Sequence, residues 1–167
     1  MVNILIDGYN LIGVAHRNLE QARQDLIQRL CKYVNIKKHA LTVVFDGWKD
    51  GHEAETKQSV GNITVIYSSL GEKADFVIKK VLSAHSQFWI VVSSDREIYD
   101  FAEKNHFIAL RAEEFETRLH AACNAKEEDI AEGRWEEDLD LTPAGKKGNP
   151  RKLSQKEKRK AEALKKL

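Results

Sequence analysis

The chain has 167 residues, 42% of them hydrophobic and 32% charged, and a formal net charge of +1. That length suits one domain, or one domain with a tail, and buries about two thirds of the unfolded surface without disulfide or metal staples. The composition excludes disordered, collagenous and membrane classes: no apolar run nears the roughly 18 residues that span a bilayer. The opening MVNILIDGYN also lacks the basic region and long apolar stretch of a secretory leader, so a cytoplasmic location is expected. Cys31 and Cys123 lie far apart in apolar-periodic segments with no ligand spacing, and read as buried thiols.

In chain order, apolar β-branched runs alternate with helical stripes, the pattern of a parallel sheet covered on both faces. Strands are expected at Asn3–Ile6, Leu41–Phe45, Ile63–Tyr67, Phe88–Val92 and Phe107–Leu110. Between them Leu19, Ala22, Leu26, Leu30 and Val34 form one core-facing stripe, and Ala74, Val77, Ile78, Val81 and Leu82 a second. Shorter stripes start at Ile98 and Phe115. Residues 47–62, with three glycines and little periodicity, form a connection long enough to suggest function.

The small net charge conceals an uneven distribution. Residues 1–125 carry −1, residues 126–140 carry −6 and residues 141–167 carry +8. This divides the chain into a domain over 1–124, an acidic segment and linker over 125–153, and a basic helical tail over 154–167. Ser154-Gln155-Lys156-Glu157 is a capping-box sequence that opens the tail helix. The basic residues of the tail segment, Lys146, Lys147, Arg151 and Lys152 among them, are candidates for contact with a polyanion.

In a parallel sheet the residues just past each strand's carboxyl end gather along one edge, where open α/β folds bind ligands. Asp7 and Asp46 directly follow the first and second strands, Asp95 follows the fourth through Ser93-Ser94, and Asp75 opens the helix after Tyr67. Any one of these could be a helix N-cap. Together they form a like-charge cluster in which each pair at about 5 Å costs roughly 3 kcal/mol at an effective dielectric near 20. A divalent cation reverses that sign, and an oxygen-only donor set with no competing His or Cys spacing points to Mg²⁺ or Mn²⁺. In Asp7-Gly8-Tyr9-Asn10 the glycine permits a tight or left-handed turn directly after the strand, from which Asn10 would orient a water or ligand oxygen beside Asp7, and Ser93 offers a hydroxyl beside Asp95.

The strings ILIDGYNLIG at 4–13, VVFDG at 43–47, the Ala74-Asp75 pair followed by Ile78, and VVSSD at 91–95 resemble the YacP-like branch of the NYN domains, within the wider PIN-like nuclease group. The resemblance covers residues 3–120 and implies a three-layer α/β/α fold with a central parallel sheet. It further implies an acidic site of Asp7, Asp46, Asp75 and Asp95 that binds Mg²⁺ or Mn²⁺ and cleaves RNA internally. Association with ribosomes and mRNA decay is a property of some members. Many PIN-like domains have a further Asp where this chain has Glu97.

On this reading the four aspartates are both metal ligands and catalytic groups, while Asn10 and Ser93 position waters or phosphate oxygens. Tyr9, Trp48 and Arg96 are the basic and aromatic groups nearest that edge in sequence and are candidates for gripping RNA. The alternative is a non-catalytic RNA-binding or ribosome-associated module that retains the acidic edge.

Overall fold

The computed structural model describes residues 1–13, 18–47, 53–84, 87–132 and 154–167. Their elements run β1 (Asn3–Asp7), α1 (Gly8–Ile12), α2 (Leu19–Lys37), β2 (Ala40–Phe45), β3 (Thr56–Val60), β4 (Ile63–Tyr67), α3 (Ala74–Ala84), β5 (Trp89–Val92), α4 (Arg96–Lys104), β6 (Ile108–Leu110), α5 (Ala112–Glu132) and α6 (Gln155–Lys166). The six strands form one sheet in the order β3-β4-β2-β1-β5-β6. Every pairing is parallel except β3 with β4.

The period-2 alternation of side chains along each strand divides the core into two layers. Ile4, Ile6, Val43, Phe45, Val65, Ile90 and Val92 face one side, where they pack with Leu26, Leu30 and Tyr33 of α2 and Phe115 and Leu119 of α5. Leu5, Val44, Ile66 and Val91 face the other, against Val77, Ile78 and Leu82 of α3 and Ile98 and Ala102 of α4. Trp89 is buried in this second layer, as core packing requires. The result is the expected three-layer α/β/α architecture, with its apolar strands covered on both faces.

Two elements depart from the sequence reading. The connection after β2 contains β3, whose sequence TKQSV is almost wholly exposed, so it has no apolar pattern to announce it. It adds antiparallel to β4, with Thr56 opposite Tyr67. The DGYN segment is a short helix rather than a left-handed turn: α1 begins at Gly8, and among the described residues positive φ occurs at Gly13, Gly61, Gly71, Lys38 and His106, not at Gly8. Gly8 is there for space, since a Cβ would meet the Phe45 ring at 2.2 Å.

Residues 154–167 form a capped helix that lies against the body. The Ser154 hydroxyl accepts from the Glu157 N–H, and the Glu157 carboxylate accepts from the Ser154 N–H. Ala163 and Leu167 enter the first core layer. Arg118 Nε donates to the Leu164 carbonyl at 3.0 Å, and the buried Tyr33 hydroxyl donates to the Leu167 carbonyl at 3.1 Å. Lys156 pairs with Glu103 at 2.7 Å and Lys160 with Glu114 at 2.8 Å. Of the two cysteines, Cys123 is buried and Cys31 is partly exposed, its thiol donating to the Val60 carbonyl at 3.3 Å.

Candidate nuclease site at the carboxyl edge of the sheet

The parallel strands deliver Asp7, Asp46, Ser93 and Asp95 to one edge, because each ends or follows a strand of the adjacent set β2, β1, β5. Asp7 is the N-cap of α1 and only 4% exposed. One of its oxygens accepts from the Asn10 N–H at 3.3 Å; the other accepts from Asn10 Nδ2 at 2.5 Å and from the Ser93 hydroxyl at 3.2 Å. Asn10 and Ser93 therefore fix the Asp7 carboxylate directly. Ser93 also accepts from the Asp95 N–H at 3.1 Å, so one hydroxyl links the two acids.

Asp46 reaches across to α3, where its Oδ1 accepts from the Ala74 N–H at 2.5 Å. This long-range cap satisfies one of the orphan donors at the start of α3. It also brings Asp46 to the turn that carries Asp75. Asp95 caps α4 by accepting from the Glu97 N–H at 2.6 Å. The N-cap roles of Asp7 and Asp95 are thus real, and they coexist with the clustering.

Electrostatics marks Asp75 as the centre of the group. Burial pushes its carboxyl above the ordinary range, and the negative charges of Asp95, Asp46 and Glu97 push it further, against the pull of Lys79. Burial likewise raises Asp7, the Asn10 and Ser93 hydrogen bonds oppose the rise, and the charge of Asp75 adds to it. The other three sequence-derived acids are therefore within electrostatic reach of Asp75. Glu97 forms an ion pair with Lys79 while its side chain stays 71% exposed.

The four acids do not, as they stand, close around one ion. Among the described residues no three His, Cys, Asp or Glu side chains are grouped to hold a metal. The reason is local: both Asp7 oxygens and one oxygen each of Asp46 and Asp95 are turned toward hydrogen-bond donors. Asp75 accepts no hydrogen bond from a described residue and faces a groove shared with Leu70, Lys73, Phe76, Lys79 and Glu97.

The other sequence candidates fall differently. The Tyr9 ring meets Phe45 edge-on at 5.5 Å, and its hydroxyl is buried, so its face belongs to the core rather than to solvent. Arg96 opens α4 with a side chain 95% exposed, 3.6 Å from Asp100. Trp48, Lys146, Lys147, Arg151 and Lys152 lie outside the described residues. Sequence reasoning passed over Arg23, a buried cation whose guanidinium sits over the Tyr67 ring at 5.7 Å. It also passed over Phe76, 59% exposed beside Asp75. A polar residue inside the α2 apolar stripe, and an aromatic one position off the α3 stripe, were the available signals.

Comparison with known proteins bears on the family and the fold. "Uncharacterized protein YacP" of Bacillus subtilis (strain 168) is 33% identical over 88 aligned positions, 48% of this chain and 51% of the relative. The chain thus spans about half the length of that curated relative. The crystal structure of Rae1 (YacP) from Bacillus subtilis is similar in fold, with a TM-score of 0.63 at 25% identity over 78% of this chain and 80% of that one. A mutant of the same protein gives 0.65 at 23% identity, over 78% and 82%. The model of the YacP-like NYN domain matches residues 4–166, past the last sequence motif and through α6, and the chain belongs to that family.

Proposed function

We propose that the protein is a metal-dependent endoribonuclease whose reacting edge is formed by Asp7, Asp46, Asp75 and Asp95. The observation that carries this reading is the mutual repulsion centred on Asp75: a partly buried cluster of carboxylates, with raised proton affinity and one lysine in attendance, calls for a cation. The nuclease character of the PIN-like group to which NYN domains belong supports the same conclusion.

The donor set fits Mg²⁺ or Mn²⁺. It is oxygen-only, and Mg²⁺ commonly takes one or two carboxylates while keeping waters and substrate phosphates in its shell. Fewer than three preset protein ligands therefore suits it. When bound, such an ion supplies charge neutralisation at the phosphate and acidifies a water for attack. The protein's own share is positional: Asn10 and Ser93 hold Asp7 in one orientation, the α3 and α4 caps hold Asp46 and Asp95, and the exposed Arg96 exchanges its Asp100 contact for a phosphate. The segment containing Lys146, Lys147, Arg151 and Lys152 adds sequence-independent affinity for RNA, including ribosome-bound RNA, in the cytoplasm. A second reading, an RNA-binding module without catalysis, draws on the lack of a three-ligand group among the described residues.

End-labelled RNA incubated with Mg²⁺ or Mn²⁺ is expected to yield internal fragments, and excess chelator to stop their formation. Binding with no cutting under either ion would replace the first reading by the second.

The raised acids also set a pH dependence. Between the ordinary Asp value near 4 and the raised folded values, the folded state holds more protons than the unfolded one. The contribution of Asp7 and Asp75 to metal-free stability is thus favourable at the acid end and falls as pH rises through the folded values. Mn²⁺ competes with those protons, so it is expected to raise the thermal midpoint clearly at pH 7.5 and little at pH 4.5. At one hundred times its dissociation constant the gain is about 2.7 kcal/mol. An equal shift at both pH values would remove the link between the acids and the ion.

A further inference from the structure

Phe76 is the second residue after the start of α3 and follows Asp75 directly. Its neighbours Val77 and Ile78 are fully buried, yet its own ring is 59% exposed. Leu70, on the connection leading into α3, is 56% exposed and lines the same groove. Large exposed apolar groups are uncommon among the described residues: Met1, Val60 and Phe88 complete the set. Two of the five therefore sit in the groove that holds the central acid.

The polar surroundings are ordered along the helix. Lys73, just before α3, and Lys79, one turn after Phe76, line the same groove as the ring. Lys73 is exposed, and its side chain meets no acid among the described residues; Lys79 is tied to Glu97. Lys80, paired with Glu55 at 3.0 Å, is 60% exposed. A single nucleic-acid strand presents matching groups, a flat apolar base between phosphates, and aromatic faces bind any base in this way. A duplex hides its base faces and could not use the ring.

We infer that Phe76 is a stacking platform for an unpaired base of single-stranded RNA, with Leu70 closing the groove opposite and Lys73 meeting the adjoining phosphate. Phe76 and Asp75 line the same groove, so a base seated on Phe76 has its backbone beside the acidic edge. The platform thus selects for unpaired substrate and sets which phosphate is presented. This inference rests on the proposed nuclease reading for its location but concerns binding, and can be tested without cleavage.

The test is affinity of the full chain for a short single-stranded RNA carrying 2-aminopurine, measured in chelator, for wild type, Phe76→Ala and Phe76→Trp. Wild type is expected to quench the fluorescent base. Phe76→Ala should bind about 5- to 150-fold more weakly and lose the quenching, and Phe76→Trp should restore both. An oligonucleotide duplex should be bound equally by all three. In cleavage assays with Mn²⁺, Phe76→Ala should raise KM while kcat changes less than about twofold. Unchanged single-strand affinity in Phe76→Ala, or an equal loss for duplex, would overturn the platform, and so would a wild type that binds no single strand. The nuclease reading fails separately, when wild type binds and quenches but never cuts.

Discussion

Asp75→Asn is expected to lower RNA cleavage by about 10²- to 10⁴-fold while leaving the metal-free fold as stable as wild type or slightly more so. The first half follows from the role of carboxylates around a dication, whose charge stabilisation in the transition state is several kcal/mol. The second half follows from the surroundings of Asp75. Its oxygens accept no hydrogen bond from a described residue, so the isosteric amide leaves no donor stranded, and it removes the repulsion from Asp95, Asp46 and Glu97. Because the group is partly solvated and also loses Lys79, the gain is only about 0.5 kcal/mol, roughly 1–2 °C in thermal midpoint for a chain this size. Asp7→Asn is a poorer probe. Its carboxylate accepts three hydrogen bonds, and an amide must turn its NH₂ toward at least one donor of Asn10 or Ser93. Parallel measurement of cleavage rate and unfolding separates the outcomes: activity within about tenfold of wild type removes Asp75 from the reaction, and a clear loss of stability contradicts the repulsion.

Gly47→Ala is expected to cost about 3 kcal/mol or more, enough to threaten the folded state altogether. Gly47 follows Asp46 at the end of β2, and its N–H donates to the Ser68 hydroxyl at 3.0 Å. That hydroxyl in turn donates to the Glu72 carbonyl at 2.6 Å, and the Ser68 N–H donates to the Phe45 carbonyl at 3.0 Å. A Cβ on Gly47 would lie 1.8 Å from the Ser68 carbonyl oxygen and 2.9 Å from its carbon. Backbone cannot swing aside like the end of a lysine, so the ends of β2 and β4 must part by more than 1 Å. The same displacement moves Asp46 and the turn that delivers Asp75. Gly13→Ala is the matched control: its φ of 75° carries a penalty of about 1 kcal/mol, but an added Cβ meets no atom of a described residue beyond its chain neighbours within 4 Å. Denaturant unfolding of the two variants distinguishes collision from conformational preference; equal midpoints would mean that the β2–β4 junction is softer than its hydrogen bonds imply.

The legible part of this fold was the part buried on both sides. Residues such as Ile4 to Ile6 and Ile90 to Val92 must be apolar at every position when helices cover both faces, and so they read as strands. β3 was illegible for the converse reason: an exposed antiparallel edge strand keeps neither the run nor the alternation. The helix at Gly8 was hidden because its requirement, room for the Phe45 ring, arises from residues far along the chain. The same division holds at the site. Position past a strand end brought Asp7, Asp46 and Asp95 to one edge, with Asn10 near Asp7 and Ser93 near Asp95 in sequence; that Ser93 also donates to Asp7, 86 residues away, was not legible. The central place of Asp75, the core placement of Tyr9 and the exposure of Phe76 depend on how α3 and α1 rotate against the sheet. Local spacing does not encode that rotation.

The strand order has a temporal consequence. β1 lies between β2 and β5, and its register with β5 sets Asn3 opposite Trp89. A growing polypeptide that has made Asp7 must still wait for Ser93 and Asp95, and at about 5–20 residues per second that wait lasts roughly 4–18 seconds. During it the first carboxylate has neither its serine partner nor its neighbour across the sheet. On the proposed nuclease reading, the acidic edge is therefore incomplete until β5 has slotted in beside β1.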